Sequence, residues 1–262
     1  MLALGFLGAL LMGIVLGLIG GGGSILTVPV FVYILNVNPV LATAYSLFVV
    51  GVASLVGAIK NSRNNLVDFK TGFVFAIPAF IGVFFARVYL INIIPDQISL
   101  FSFSVSKEMA IMIFFAMIMI AASYFMIRGN NVDLHESSTN YNPIILVFEG
   151  LIVGVLTGIV GAGGGFLIIP ALVLFARLPM KKAVATSLMI IAVKSLFGFI
   201  GDLNNVNLIF DWPLLITFSL VSIVGIFLGI YFNNFIDGGR LKKGFGWFVL
   251  IMAICILIKE FI

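Results

Sequence analysis

The chain has 262 residues, of which 62% are hydrophobic and 9% charged, with a mean hydropathy of +1.28 and a formal net charge of +4. That balance excludes an ordinary soluble domain, and apolar runs recur along the whole length, so the composition predicts a polytopic helical membrane protein. The excess of Lys and Arg is expected in cytoplasmic loops rather than on nucleic acid, because no basic run is interleaved with aromatics.

Apolar segments are predicted over 2–35, 40–59, 71–91, 107–127, 143–176, 183–200, 213–235 and 244–261. Two of them, 2–35 and 143–176, hold 34 residues each. About 20 residues suffice to cross a bilayer. Each long segment is therefore read as a full helix, a Gly-rich turn and a short helix returning toward its starting side. That reading gives about 10 helices from eight apolar segments. Met1 to Ile19 lacks the basic start of a signal peptide, so it is assigned to the fold. The polar stretch Arg128 to Asn142, which contains the single histidine, His135, divides the chain. Residues 1–127 are read as the first transmembrane repeat, 128–142 as a cytoplasmic linker and 143–262 as the second repeat. The one cysteine, Cys255, makes no intrachain disulfide and no Cys-based metal site.

The halves repeat one another. Gly17-Leu-Ile-Gly20-Gly21-Gly22-Gly23-Ser24 runs on to Pro29, and 141 residues later Gly158-Ile-Val-Gly161-Ala-Gly163-Gly164-Gly165 runs on to Pro170. At the same offset Ala42-x-Ala44-x-Ser46 matches Ala183-x-Ala185-x-Ser187, and Ser54-Leu55-x-Gly57 matches Ser195-Leu196-x-Gly198. Gly82 matches Gly225 at an offset of 143. Paired Gly/Pro-interrupted segments in corresponding positions of two halves point to a transporter's substrate site.

The charges oppose the halves. Lys60, Arg63 and Lys70 cluster where the second half, over 201–212, has no Lys or Arg. Arg177, Lys181 and Lys182 cluster where the first half, over 36–41, has none. The positive-inside rule then predicts inverted repeats, with both termini outside. An all-α bundle of two inverted repeats is the expected fold class.

The candidate site combines Gly20, Gly21, Gly22, Gly23 and Ser24 with Gly161, Gly163, Gly164 and Gly165. A helix start with free backbone N–H groups attracts anions through those groups and the helix dipole. Ser24 is expected to cap the first short helix. Pro29 and Pro170 each free a carbonyl one turn earlier, at Ile25 and Phe166. The two clusters are expected to meet near the bilayer midplane. Lys194 lies deep in an apolar run, and an intramembrane Lys faces a cavity or a partner. It is read as a substrate cation or as one half of an ion pair with Glu149 or Asp202. Ser46 and Ser187 are hydroxyl donors to an oxyanion, or else packing groups bonded to their own helix. Glu149 is read as an interfacial residue, with a proton carrier as the other reading. Trp212 and Trp247 read as interface anchors. No GxxxxGK[ST], HExxH or Gly-x-Ser-x-Gly pattern occurs, so neither an enzyme nor a bound cofactor is expected.

These motifs resemble the TauE/SafE family of sulfite and organosulfonate exporters, in Gly17 to Pro29 with Ala42 to Ser46 and in Gly158 to Pro170 with Ala183 to Ser187. The resemblance implies a bacterial inner-membrane carrier of small sulfur-containing anions such as sulfite or sulfoacetate. It also implies about eight hydrophobic segments, from which the returning short helices depart. The residues alone argue for a small anionic substrate in a lipid bilayer. A passive anion channel and a carrier of a small carboxylate stay open, as does a homodimer.

Overall fold

The computed structural model describes residues 2–21, 23–86, 90, 97–100, 103–128, 143–160, 165–174, 176–203 and 210–261. The described chain is a helical bundle. The first half supplies α1 (Leu2–Ile19), α2 (Gly23–Pro29), α3 (Pro39–Arg63), α4 (Phe69–Phe85) and α5 (Lys107–Arg128). The second supplies α6 (Pro143–Val160), α7 (Gly165–Leu174), α8 (Met180–Leu203), α9 (Trp212–Phe235) and α10 (Gly238–Phe261). Five helices contain stretches long and apolar enough to cross a membrane, in α1, α3, α8, α9 and α10, and α4, α5 and α6 carry shorter ones. Bulky side chains such as Phe73, Ile77, Phe84, Leu220 and Ile251 point out of the bundle, as expected where the surrounding solvent is lipid.

Helix α4 is α-helical to Phe85, and Ala86 and Leu90 beyond it are π-helical. One feature departs from the sequence reading. An antiparallel hairpin follows, β1 (Gln97–Leu100) with β2 (Phe103–Ser106), Leu100 standing opposite Phe103. Its signal is the alternation of Ile98 and Leu100 with polar neighbours, and of Phe103 and Val105, a period of two. A linker assigned at 128–142, and His135 with it, lies outside the described residues except for Arg128.

The halves pack across one another. The first helix of each lies against the fourth helix of the other, α1 on α9 and α6 on α4, while α3 packs on α8 and α5 on α10. Small residues make the crossings close. A Cβ on Gly13 would strike the carbonyl of Ser222, and one on Gly17 that of Ile226. In the other pair a Cβ on Gly154 would strike the carbonyl of Ala79. Gly13 and Gly154 stand at equivalent positions, as do Ala79 and Ser222, so one contact is built twice. Between membrane helices such close approach provides van der Waals contact and Cα–H···O bonds in place of a hydrophobic drive.

These contacts also give helix directions. Gly13 meets residues 222–226 and Gly17 meets 226–230, so α1 and α9 run parallel. Gly150 meets Phe75 and Gly154 meets Ala79, so α6 and α4 run parallel. By contrast Gly198 meets Leu47, Gly51 meets Leu196 and Gly57 meets Leu188, so the equivalent helices α3 and α8 run antiparallel.

Local geometry repeats as well. Asp68 and Asp211 each precede a helix and accept from a backbone N–H three residues on, Thr71 at 3.0 Å and Leu214 at 3.1 Å, which satisfies an orphan donor of the first turn. The backbone N–H of Asp211 donates to Tyr45 Oη at 2.7 Å, and that of Asp68 to Thr186 Oγ1 at 3.0 Å. Tyr45 and Thr186 are 141 residues apart, so α3 and α8 each hold the cap of the other half's fourth helix.

Candidate functional site: the glycine turns and the α3–α8 pair

Helix α1 ends at a turn that only glycine makes easily. Gly20 has φ +79°, and its backbone N–H donates to the Leu16 carbonyl at 2.7 Å. The left-handed conformation costs a residue with a Cβ, and here a Cβ would also strike Ser187 Oγ. Gly21 is buried beside it. The chain then reverses. Gly23 lies against Met12 and Leu16, Val30 against Gly8 and Leu35 against Gly5. The short helix therefore runs back along α1 to its starting end, as the length of segment 2–35 predicts.

Helix α2 begins at Gly23, so Ser24 falls inside the first turn rather than at the capping position ahead of it. Beyond Pro29, which lacks an N–H, the helix widens into a π-helical turn over Val30–Ile34. That turn closes with Leu35 N–H to the Val30 carbonyl at 3.2 Å and Val37 N–H to the Phe31 carbonyl at 2.9 Å. The second half repeats both bonds, Ala176 to Ala171 at 3.3 Å and Leu178 to Leu172 at 3.0 Å. Asn36 and Arg177, again 141 apart, both have positive φ, 53° and 52°.

The first turn docks on the second half. Gly20 faces Ser187 and Val184 of α8 and Ile169 of α7. Ser187 is fully buried and donates to its own helix, at the Val184 carbonyl, 2.8 Å away. Its hydroxyl proton is thus committed to the packing arrangement. Ser46 is buried at the equivalent place on α3. Gly165 opens α7 and is buried, whereas Gly22, Gly161, Gly163 and Gly164 lie outside the described residues.

Depth along α8 orders these groups. Ser187 is seven residues past Met180, roughly 10 Å along the axis, and the midpoint of α8 lies at roughly 18 Å. The first glycine turn therefore sits off the centre, toward the start of α8, and not at mid-depth. The reason is the length of α1, which continues past its crossing with Gly225 until Asn233 Nδ2 closes the Leu18 carbonyl at 2.6 Å. Lys194 lies at roughly 21 Å, near the middle.

Lys194 is half-buried and Nζ donates to Thr157 Oγ1 at 3.0 Å. Thr157, itself buried, donates in turn to the Gly154 carbonyl at 3.1 Å. The equivalent pair in the first half is Ala53 and Leu16, both fully buried and apolar. One half thus carries a cation with an oriented hydroxyl one turn before its glycine cluster, where the other half is closed by hydrocarbon. Thr157 escaped the sequence reading. Its signal was a hydroxyl replacing Leu16 at the same repeat position. Glu149, read as an interfacial residue or a proton carrier, is only 9% exposed and packs inside the bundle. Trp212 and Trp247 are both exposed.

Helices of this length and polarity, wound in two interlocked halves about a broken-helix turn, define a multi-pass helical membrane protein. The chain belongs to the family described as sulfite exporter TauE/SafE, whose pattern it matches over residues 5–259. It is 28% identical to a protein of Xylella fastidiosa named probable membrane transporter protein, over 94% of this chain and 91% of that one. A protein of Methanocaldococcus jannaschii with the same descriptive name is 26% identical over 88% of this chain and 86% of its own. A third, from Bacillus subtilis, is 26% identical over 89% and 91%. No solved structure matches the chain. As a member of this family the protein is a membrane transporter.

Proposed function

We propose that the protein is a secondary transporter that exports a small sulfur-containing anion, sulfite or a related sulfonate, by alternating access. The anion occupies the space between the two glycine turns, beside α3 and α8, with Lys194 as its counter-charge. The observation that carries the reading is the asymmetric Lys194–Thr157 pair, near the middle of α8 and three residues before the end of α6. An ionisable side chain among apolar helices marks a substrate or ion pathway, and discontinuous helices in transporters expose backbone groups to substrate. The substrate class follows the family description and the name sulfite exporter.

The proposed arrangement is an inverted pair of repeats. Support comes from the antiparallel packing of α3 on α8, since equivalent helices related by inversion cross in opposite directions. Further support comes from charge. With the α3–α4 connection cytoplasmic, Lys60, Arg63, Lys70, Arg128, Arg177, Lys181, Lys182, Arg240, Lys242 and Lys243 share that side, while Arg87, Lys107 and Lys259 face out. Rocking one half against the other would then expose the cation to each side in turn.

Flux tests this reading. Purified protein in liposomes should move radiolabelled sulfite, and Lys194→Met should abolish the movement. Sulfite flux no faster than in protein-free liposomes would overturn it. Flux that is unaffected by any imposed ion gradient would favour a passive anion channel. Acetate outrunning sulfite would favour a small-carboxylate carrier.

A further inference from the structure

We propose that Glu149 is the site at which a proton binds and is carried during transport. The proposal rests on the transporter reading above but uses a residue outside the anion site.

Glu149 is the seventh residue of α6, roughly 9 Å from the start of that helix. It is 9% exposed, and its Oε2 is sealed from the surface with no hydrogen-bond partner among the described residues. A buried carboxyl oxygen in that position is costly to leave unpaired in either form, and more costly still as a bare anion. Acidic residues at membrane depth mark ion pathways and proton relays. The repeat adds a second observation. The first-half equivalent of Glu149 is Gly8, which lies against Val30. By the repeat offset the corresponding positions of the second half are Glu149 and Ala171, a large acid in place of Gly8 and a smaller residue in place of Val30. The exchange of sizes leaves room for a carboxyl in that half alone, the half that also carries Thr157 beside Lys194.

The elements packed on α6 offer little charge. From α4 the residues in register are Phe75, Ala79 and Gly82, and the titratable Lys70 is exposed at the helix start. Helix α7 carries no titratable residue, and α5 carries Lys107 and Glu108 in its first turn and an exposed Arg128 in its last. From α8, Lys194 approaches α6 at Thr157, eight residues beyond Glu149 and roughly 12 Å along the axis. Eight residues turn the helix by about 800°, so the two positions stand about 80° apart, within one broad stripe of α6. The carboxyl and the cation therefore line one path, with Glu149 nearer the start of α6. A carboxylate oxygen of Glu149 takes a proton from water on one side of the membrane, forming an O–H bond. It returns the proton to water on the other side after the helices have moved. No other reactant is needed.

Two measurements test the assignment. In liposomes, Glu149→Gln should eliminate the protons moved per sulfite and the response to an imposed pH gradient, while one-for-one sulfite exchange persists. Glu149→Asp should retain part of the coupling. A Gln variant that still moves protons with sulfite overturns the proposal, and so does a folded Gln variant that loses exchange as well. The second measurement needs no substrate. Infrared difference spectra of the purified protein between acid and alkaline buffer should contain a carboxylic C=O band that Glu149→Gln removes and Glu149→Asp shifts. An unchanged band in both variants overturns the proposal. If the wild-type protein moves no sulfite, the sulfite reading fails by itself, and the infrared result alone decides Glu149.

Discussion

At the scale of single residues, the proposed site depends on Lys194 and Thr157. The ammonium is held by an oriented hydroxyl whose own proton is engaged at Gly154. Lys194→Met removes the cation, and sulfite affinity should fall by roughly ten- to hundredfold, since hydrogen bonds to charged groups contribute about 1.5–3 kcal/mol. Calorimetric titration of detergent-solubilised protein measures it, and wild-type affinity would remove Lys194 from the site. Arginine should not restore binding, because a planar fork does not reproduce a compact ammonium. Thr157→Val leaves the charge in place and should lower sulfite affinity by a smaller factor than Lys194→Met in the same titration. Lys194 was legible in the sequence because a charge inside an apolar run stands out by itself. Thr157 was not, because a single threonine in such a run is unremarkable until the fold sets it 3.0 Å from Nζ. Ser24 shows the opposite limit, since capping depends on a helix boundary that falls two residues before where the motif suggests.

Among the elements, the glycines divide into those that a Cβ would destroy and those it would not touch. Gly13→Ala and Gly154→Ala each push a methyl into a carbonyl of the opposing helix. Each should destabilise by about 1–3 kcal/mol, the usual cost of overpacking a close contact, and by similar amounts because the two contacts are equivalent. Gly244→Ala, with nothing within 4 Å, should leave stability unchanged. Thermal unfolding in detergent compares the three, and equal midpoints would show that the crossings are loose. The capping aspartates give a second pair. Asp68→Ala and Asp211→Ala should each cost about 1 kcal/mol, read in the same assay. The returning helix was legible in the sequence through segment length alone, since 34 apolar residues exceed one crossing. The paired strands Gln97–Leu100 and Phe103–Ser106 are hard to read from sequence, because four-residue strands give little periodicity beside long helical runs. The cross-packing of first on fourth helices was beyond reach for another reason. The repeat offset says which residues are equivalent, but not which equivalent faces meet.

For the whole molecule, the central claim is that the two halves face opposite ways across the membrane, so that one anion site can be presented to either side. The packing directions and the distribution of Lys and Arg support it independently, one from contacts and one from charge. Asn36 and Arg177 test it most directly. They occupy equivalent turns with the same left-handed backbone, and both are exposed. Cys255 is itself exposed and must first be removed. In a Cys255→Ser background, Asn36→Cys and Arg177→Cys are labelled in intact cells with a membrane-impermeant maleimide, before and after permeabilisation. Inverted repeats predict that Asn36→Cys reacts in intact cells and that Arg177→Cys reacts only after permeabilisation. Labelling of both positions from the same side would contradict the inverted arrangement and, with it, the alternating exposure of Lys194.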